Sequence, residues 1–220
     1  FTYSYEGFIN GEDESSLSST PKISSSATKT SDVGNYVISG SNATSNHYSI
    51  SYSTGVLSIT KAPLTAKVEN TSKEYGSSNP SFCMEFVGLK NGEKTPVWSS
   101  SPSYTTSATI KSSVGEYEIS AKATPKNYEL SEISSGILKI TKAPLTLQAN
   151  DLSKTYYSEN PELTYTCNGL KYWDDISVLT VGPILSTNAK KESNAGIYEI
   201  TIKGASAKNY VITYKDGHMT

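Results

Sequence analysis

One seven-residue string occurs twice in this chain: Ile59-Thr60-Lys61-Ala62-Pro63-Leu64-Thr65 returns as Ile140-Thr141-Lys142-Ala143-Pro144-Leu145-Thr146, an offset of 81 residues. The same offset carries Tyr75 onto Tyr156, Asn79-Pro80 onto Asn160-Pro161, and Gly88-Leu89 onto Gly169-Leu170, with a third copy at Gly7-Phe8. It also relates Gly34-Asn35-Tyr36, Gly115-Glu116-Tyr117 and Gly196-Ile197-Tyr198. Asn127-Tyr128 and Asn209-Tyr210 follow, with Asn46-His47-Tyr48 as a variant, and each leads to a glycine at Gly55, Gly136 or Gly217. A period of this kind constrains the fold more than any local propensity, because one small unit has to be built three times. The copies run over 1–61, 62–142 and 143–220. The first has no counterpart of Ala62 to Ser81, and the third stops at His218-Met219-Thr220 where its sisters continue. The chain is therefore expected to be a window on a longer array.

Inside a copy the apolar residues alternate, which places them on one face of a strand. Phe82, Met84 and Phe86 match Leu163, Tyr165 and Cys167, and Phe1, Tyr3 and Tyr5, as one buried row. Tyr117, Ile119 and Ala121, with Tyr198, Ile200 and Ile202, form another. Ser53-Thr54-Gly55 and Lys215-Asp216-Gly217 read as glycine-closed hairpins. Asp174 to Leu179 reads as one short helical turn with acidic residues at its start, and nothing longer is helical. Ser and Thr make up about 28% of the residues and tyrosine outnumbers phenylalanine 16 to 4, a composition suited to strands with wet faces. The expected class is mainly β, a β-rich α+β unit repeated in tandem.

Only Lys61-Ala62-Pro63 separates Leu57 and Ile59, which alternate toward one core, from Leu64, Ala66 and Val68, which alternate toward the next. A flexible linker would be longer and rich in Gly and Ser. Pro63 and Pro144 fix φ and hold the preceding alanine extended, so the last strand of one copy should run into the first strand of the next. Val56 to Val68 can reach at most about 43 Å at roughly 3.3 Å per residue. The expectation is an elongated, semi-rigid rod.

The Lys73 to Pro80 run, Lys-Glu-Tyr-Gly-Ser-Ser-Asn-Pro, the Gly88-Leu89 and Gly115-Glu116-Tyr117 stations and the closing Leu138 to Thr146 segment resemble the MBG repeat of the YGX type. That resemblance covers essentially the whole chain. It implies a small β-rich domain, β-grasp-like with one short helix, carried in tandem by large bacterial surface and secreted proteins that are often adhesin-like. It carries over no catalytic residues. The third copy departs from the pattern by reading Tyr156-Tyr157 where the family has Tyr-Gly.

The formal charge is -2 and all 19 basic residues are lysine, so there is no basic footprint for nucleic acid. No stretch of about 18 apolar residues is present to span a bilayer. His47 and His218 are not repeated in the other copies and read as structural or solvent-facing. Cys83 and Cys167 fall on opposite faces of different copies and should not pair. Glu12-Asp13-Glu14, Asn91-Gly92-Glu93 and Trp173-Asp174-Asp175 align, but they lack the spacing of a calcium loop and read as negative charge at a helix start. Most tyrosines, Tyr36, Tyr117 and Tyr198 among them, recur at inward stations and read as core with the hydroxyl on a polar partner, and Trp98 as core beside Leu17 and Leu179. Trp173 replaces Gly11 and Gly92 in a turn, beside Tyr172 where the sisters carry Asn10 and Asn91.

No metal, cofactor or catalytic set is expected. The sequence points to a non-catalytic structural spacer in a bacterial cell-surface or secreted protein, monomeric in itself. The alternative is a carbohydrate- or mucin-binding module centred on Tyr172, Trp173 and Tyr157, with a glycan or a host or neighbouring surface protein as partner.

Overall fold

Alternation of small and branched apolar residues with polar ones turns almost every periodic segment into a strand. A computed structural model, which describes residues 1–171 and 173–220, is mainly β. The third copy shows the plan. Its opening strand, Ala143–Ala149, buries Ala143, Leu145, Leu147 and Ala149 to 1% exposure or less, and Tyr165–Asn168 flanks it antiparallel, with Leu147 opposite Cys167. On its other side Tyr210–Lys215 runs parallel, with Ala143 opposite Tyr210. A second sheet orders Ile184–Thr187, Tyr198–Lys203 and Gly217–Met219, and its buried Ile200, Ile202 and Met219 come from the strands that meet the opening strand. A core between two small sheets results, closed by apolar side chains each stabilising by about 1.5–3 kcal/mol when fully buried.

The middle copy repeats the plan with Met84–Val87, Ala62–Val68 and Tyr128–Ser134 in one sheet and Thr71–Glu74, Gly136–Thr141, Gly115–Pro125 and Trp98–Thr105 in the other. The first copy holds one sheet, Lys22–Ser25, Gly34–Ser41 and Gly55–Ile59. The chain divides into two compact units, Phe1–Ala66 with Phe86–Ser103 and Lys122–Ile133, and Lys67–Glu85 with Tyr104–Ala121 and Ser134–Thr220. The middle copy contributes residues to each.

Three expectations change. Phe1 and Tyr3 are 67% and 46% exposed, not buried, because residues 1–61 include no strand corresponding to Ala62–Val68 for that row to pack on. The hairpins expected at Gly55 and Gly217 do not form. Residues 45–54 include no strand ahead of Gly55–Ile59. Tyr210–Lys215 belongs to one sheet and Gly217–Met219 to the other, and the same switch separates Tyr128–Ser134 from Gly136–Thr141. Glycine is needed there for close approach: a Cβ at Gly217 would lie 2.6 Å from the Ala149 carbonyl oxygen, and one at Gly136 would lie 2.7 Å from that of Val68. The short helix is only a 3₁₀ turn, Glu14–Ser16 and Ile176–Val178, and the middle copy has none. Asp13 and Asp175 cap those turns by accepting the Ser15 and Ser177 N–H, each at 2.8 Å. In the middle copy Lys94 stands at the acceptor position and Pro96, which has no N–H, at the donor position, so the cap cannot form.

Candidate functional site

The recurring Ala-Pro seam is where neighbouring copies are joined, and its chemistry starts from backbone groups that need partners. Thr60 and Lys61 alone lie between the strands Gly55–Ile59 and Ala62–Val68, and only Lys142 lies between Gly136–Thr141 and Ala143–Ala149. Strand therefore runs into strand, as the proline argument anticipated. The buried set changes parity across the second seam, from Leu138 and Ile140 to Ala143 and Leu145, so the inward face flips where the chain passes to the next core. Pro144 costs no ladder bond because the antiparallel neighbour stops at Asn168, opposite Thr146.

The asparagine of each Asn-Tyr pair fastens this seam. The Ala62 N–H donates to the Asn127 carbonyl at 3.1 Å, and the Ala143 N–H to the Asn209 carbonyl at 3.0 Å. Their side chains reach back to the preceding copy: Asn127 Oδ1 accepts the Val33 N–H at 3.1 Å, and Asn209 Oδ1 accepts the Val114 N–H at 3.0 Å. At the first seam Asn127 Nδ2 also donates to Asp32 Oδ1 at 2.7 Å, while Lys126 pairs with Asp32 Oδ2 at 2.6 Å. Those two contacts, the lysine first, hold the Asp32 carboxyl below its usual range. Lys142 Nζ donates to the Ala207 carbonyl at 3.2 Å, a further tie at the second seam.

The tyrosine of the same pair works within its own copy. Tyr48, Tyr128 and Tyr210 accept the N–H of Ile9, Lys90 and Lys171 and donate to Glu12, Glu93 and Asp174. The aligned acids thus divide: Asp13 and Asp175 cap 3₁₀ turns, whereas Glu12, Glu93 and Asp174 receive a tyrosine hydroxyl. Burial first, then the Asp174 hydrogen bond, push the Tyr210 hydroxyl well above the ordinary tyrosine range. Tyr36, Tyr117 and Tyr198 are half-buried, and each donates to the carbonyl four residues earlier, at 2.8, 2.9 and 3.0 Å. Trp98 is half-buried beside Phe86, their ring centres 5.7 Å apart.

Of the expected aromatic site, Tyr172 lies outside the described residues. Trp173 is half-buried in its turn, its Nε1 donating to Tyr75 Oη at 3.4 Å and its ring under Lys111 Nζ at 5.4 Å. Both partners belong to the middle copy. Tyr157 lies in another turn, 60% exposed, with Tyr156 at 67% beside it and Lys191 Nζ 5.4 Å from its ring centre. Trp173 and Tyr157 thus sit in different surroundings.

Cys83 is exposed, Cys167 is half-buried, and both are free thiols. His218 is exposed, with Nδ1 3.5 Å from Asp151. Among the described residues no three or more His, Cys, Asp or Glu side chains gather as a metal-binding group. An open depression of about 410 Å³ is lined by Asn70, Ser72, Glu116 and Lys139.

Sequence reasoning assigned no role to Asn127, Asn209, Lys73 or Lys154. Recurrence of the Asn-Tyr pair, and of a lysine two residues before Tyr75 and Tyr156, was the available signal. Lys73 is 7% exposed, and its ammonium donates to the Ser77 carbonyl at 3.0 Å and the Thr109 carbonyl at 2.7 Å; burial lowers its pKa. Lys154 makes the same pair of bonds to the Ser158 and Lys190 carbonyls.

A family model described as MBG domain (YGX type) matches residues 1–58, 64–139 and 145–220, leaving out only the seam residues 59–63 and 140–144. No curated protein matches the chain.

Proposed function

Since the chain belongs to the MBG domain family of the YGX type, in three tandem copies, we propose that it is a repeat module of a bacterial surface or secreted protein and serves there as a non-catalytic spacer. The observation that carries this reading is the Asn clasp made in the same way at both seams, Asn127 on Val33 and Asn209 on Val114. A joint with a strand directly on each side and a side chain bonded back across it resists reorientation, which a spacer requires and a binding loop does not. Small-angle scattering tests it. The chain should fit a single conformer, and inserting Gly-Gly-Gly-Gly-Ser between Lys142 and Ala143 should require an ensemble of orientations. A parent chain that already requires such an ensemble contradicts the spacer role.

One observation favours a second reading. The Tyr156 and Tyr157 rings are both mostly exposed, with centres 6.0 Å apart, an arrangement able to stack on a sugar or a protein partner. Under that reading Tyr157→Ala abolishes retention on a glycan array without lowering the melting temperature. No retention of the parent chain removes it.

A further inference from the structure

We propose that the residue following the tyrosine of the YGX turn decides whether the next copy can dock on that turn: glycine opens a socket for a lysine stem, and any side chain closes it. In the middle copy the turn is Tyr75-Gly76, with Tyr75 5% exposed, Gly76 buried and φ at Gly76 +79°. A Cβ placed on Gly76 would lie 2.5 Å from Lys171 Cγ, 2.7 Å from Cδ and 3.1 Å from Cβ. Those atoms are the root and middle of the lysine, not its tip. The stem cannot swing aside, because both of its ends are held. The Lys171 N–H donates to Tyr210 Oη at 3.0 Å, and Nζ pairs with Glu74 Oε1 at 2.6 Å.

The rest of the contact surrounds this stem. The Tyr75 ring meets the Tyr210 ring edge-on with centres 5.5 Å apart, Tyr75 Oη donates to Asp174 Oδ1 at 3.3 Å, and Trp173 Nε1 donates to Tyr75 Oη. Lysine stands at this station in the middle copy too, as Lys90, whose N–H donates to Tyr128 Oη at 2.9 Å. The third copy carries Tyr157 where Gly76 stands, at φ +66°, so its turn keeps a positive φ while presenting a Cβ where Gly76 has none. Glycine at 76 is therefore not demanded by the turn alone. Docking at this turn is independent of any spacer role for the whole molecule.

The test is carried out on the full chain with Cys83→Ser and Cys167→Ser, spin-labelled at Glu116→Cys in the middle copy and Lys203→Cys in the third, reading the distance distribution by double electron–electron resonance. The reference chain should give one narrow peak, and Gly76→Tyr should broaden it while the circular dichroism spectrum stays that of the reference. Gly76→Ala should broaden the peak as well, and adding Lys171→Ala should narrow it again, since strain at positive φ is common to both variants and only the stem is removed. An unchanged peak in Gly76→Tyr, or no recovery in the double variant, overturns the assignment.

Discussion

Asn127 and Asn209 each reach the preceding copy through the side chain and hold the opening strand of their own copy through the carbonyl, and each sits directly before the tyrosine that braces its own copy. Removing the Asn209 amide leaves the Val114 N–H without its partner, so Asn209→Ala should cost about 1–2 kcal/mol in chemical denaturation. Tyr210 gives the molecule an alkaline limit. Its folded pKa is raised, so its contribution is fully present below the ordinary tyrosine value of about 10 and is lost as pH rises toward the folded value. Lys73 acts in the opposite sense. Its folded pKa is lowered, and the cost of burying its ammonium is relieved as pH climbs from the folded value through the usual lysine range. The melting temperature should fall above about pH 10 and fall less in Tyr210→Phe. An identical decline in that variant would show that Tyr210 does not set the limit.

Strand-to-strand switches make glycine tolerance depend on the copy. At Gly136 and Gly217 the obstacle to a Cβ is a backbone carbonyl inside a sheet, which cannot move away as a flexible side chain can. Gly136→Ala and Gly217→Ala should each destabilise by about 1–3 kcal/mol. Gly55 occupies the same station in the first copy, yet its Cβ would meet only Ile38 Cβ at 3.6 Å, ordinary contact, so Gly55→Ala should be close to neutral. Three denaturant titrations decide it, and equal losses at all three positions would contradict the close-approach account. Leu145 of the opening strand is 0% exposed, and Leu145→Ala should cost about 2–5 kcal/mol by the same measurement.

For the whole molecule the consequence lies in the seams. Lys61 and Lys142 are exposed, yet each is followed directly by a strand whose alanine N–H is bonded. Trypsin under native conditions should therefore cut other exposed lysines before the Lys142-Ala143 bond; early cleavage there, read by mass spectrometry, would show a seam that opens. The 81-residue offset, most strands of the second and third copies, the polar partner of the recurring tyrosine hydroxyls and the direct strand-to-strand passage at Ala-Pro were legible in the chain, because each is a pattern of neighbours along it: a period of two, a fixed φ, a recurrent pair. What Gly136 and Gly217 do was not legible, since a glycine before a strand reads as a turn until the carbonyl it must clear is brought up from about 68 residues away. The split of the aligned acids into caps and tyrosine acceptors, the reach of Asn127 to Val33 and the seat of Lys171 on Gly76 belong to the same class. Sequence by itself determined how many copies there are and, where a partner strand is present, which residues of a strand share the inward face, since alternation is local; the exposed Phe1 and Tyr3 show that alternation without such a partner does not bury a row. Tertiary structure alone decided which polar groups meet across a seam, because partners more than 90 residues apart are selected by packing and by the need to satisfy buried donors.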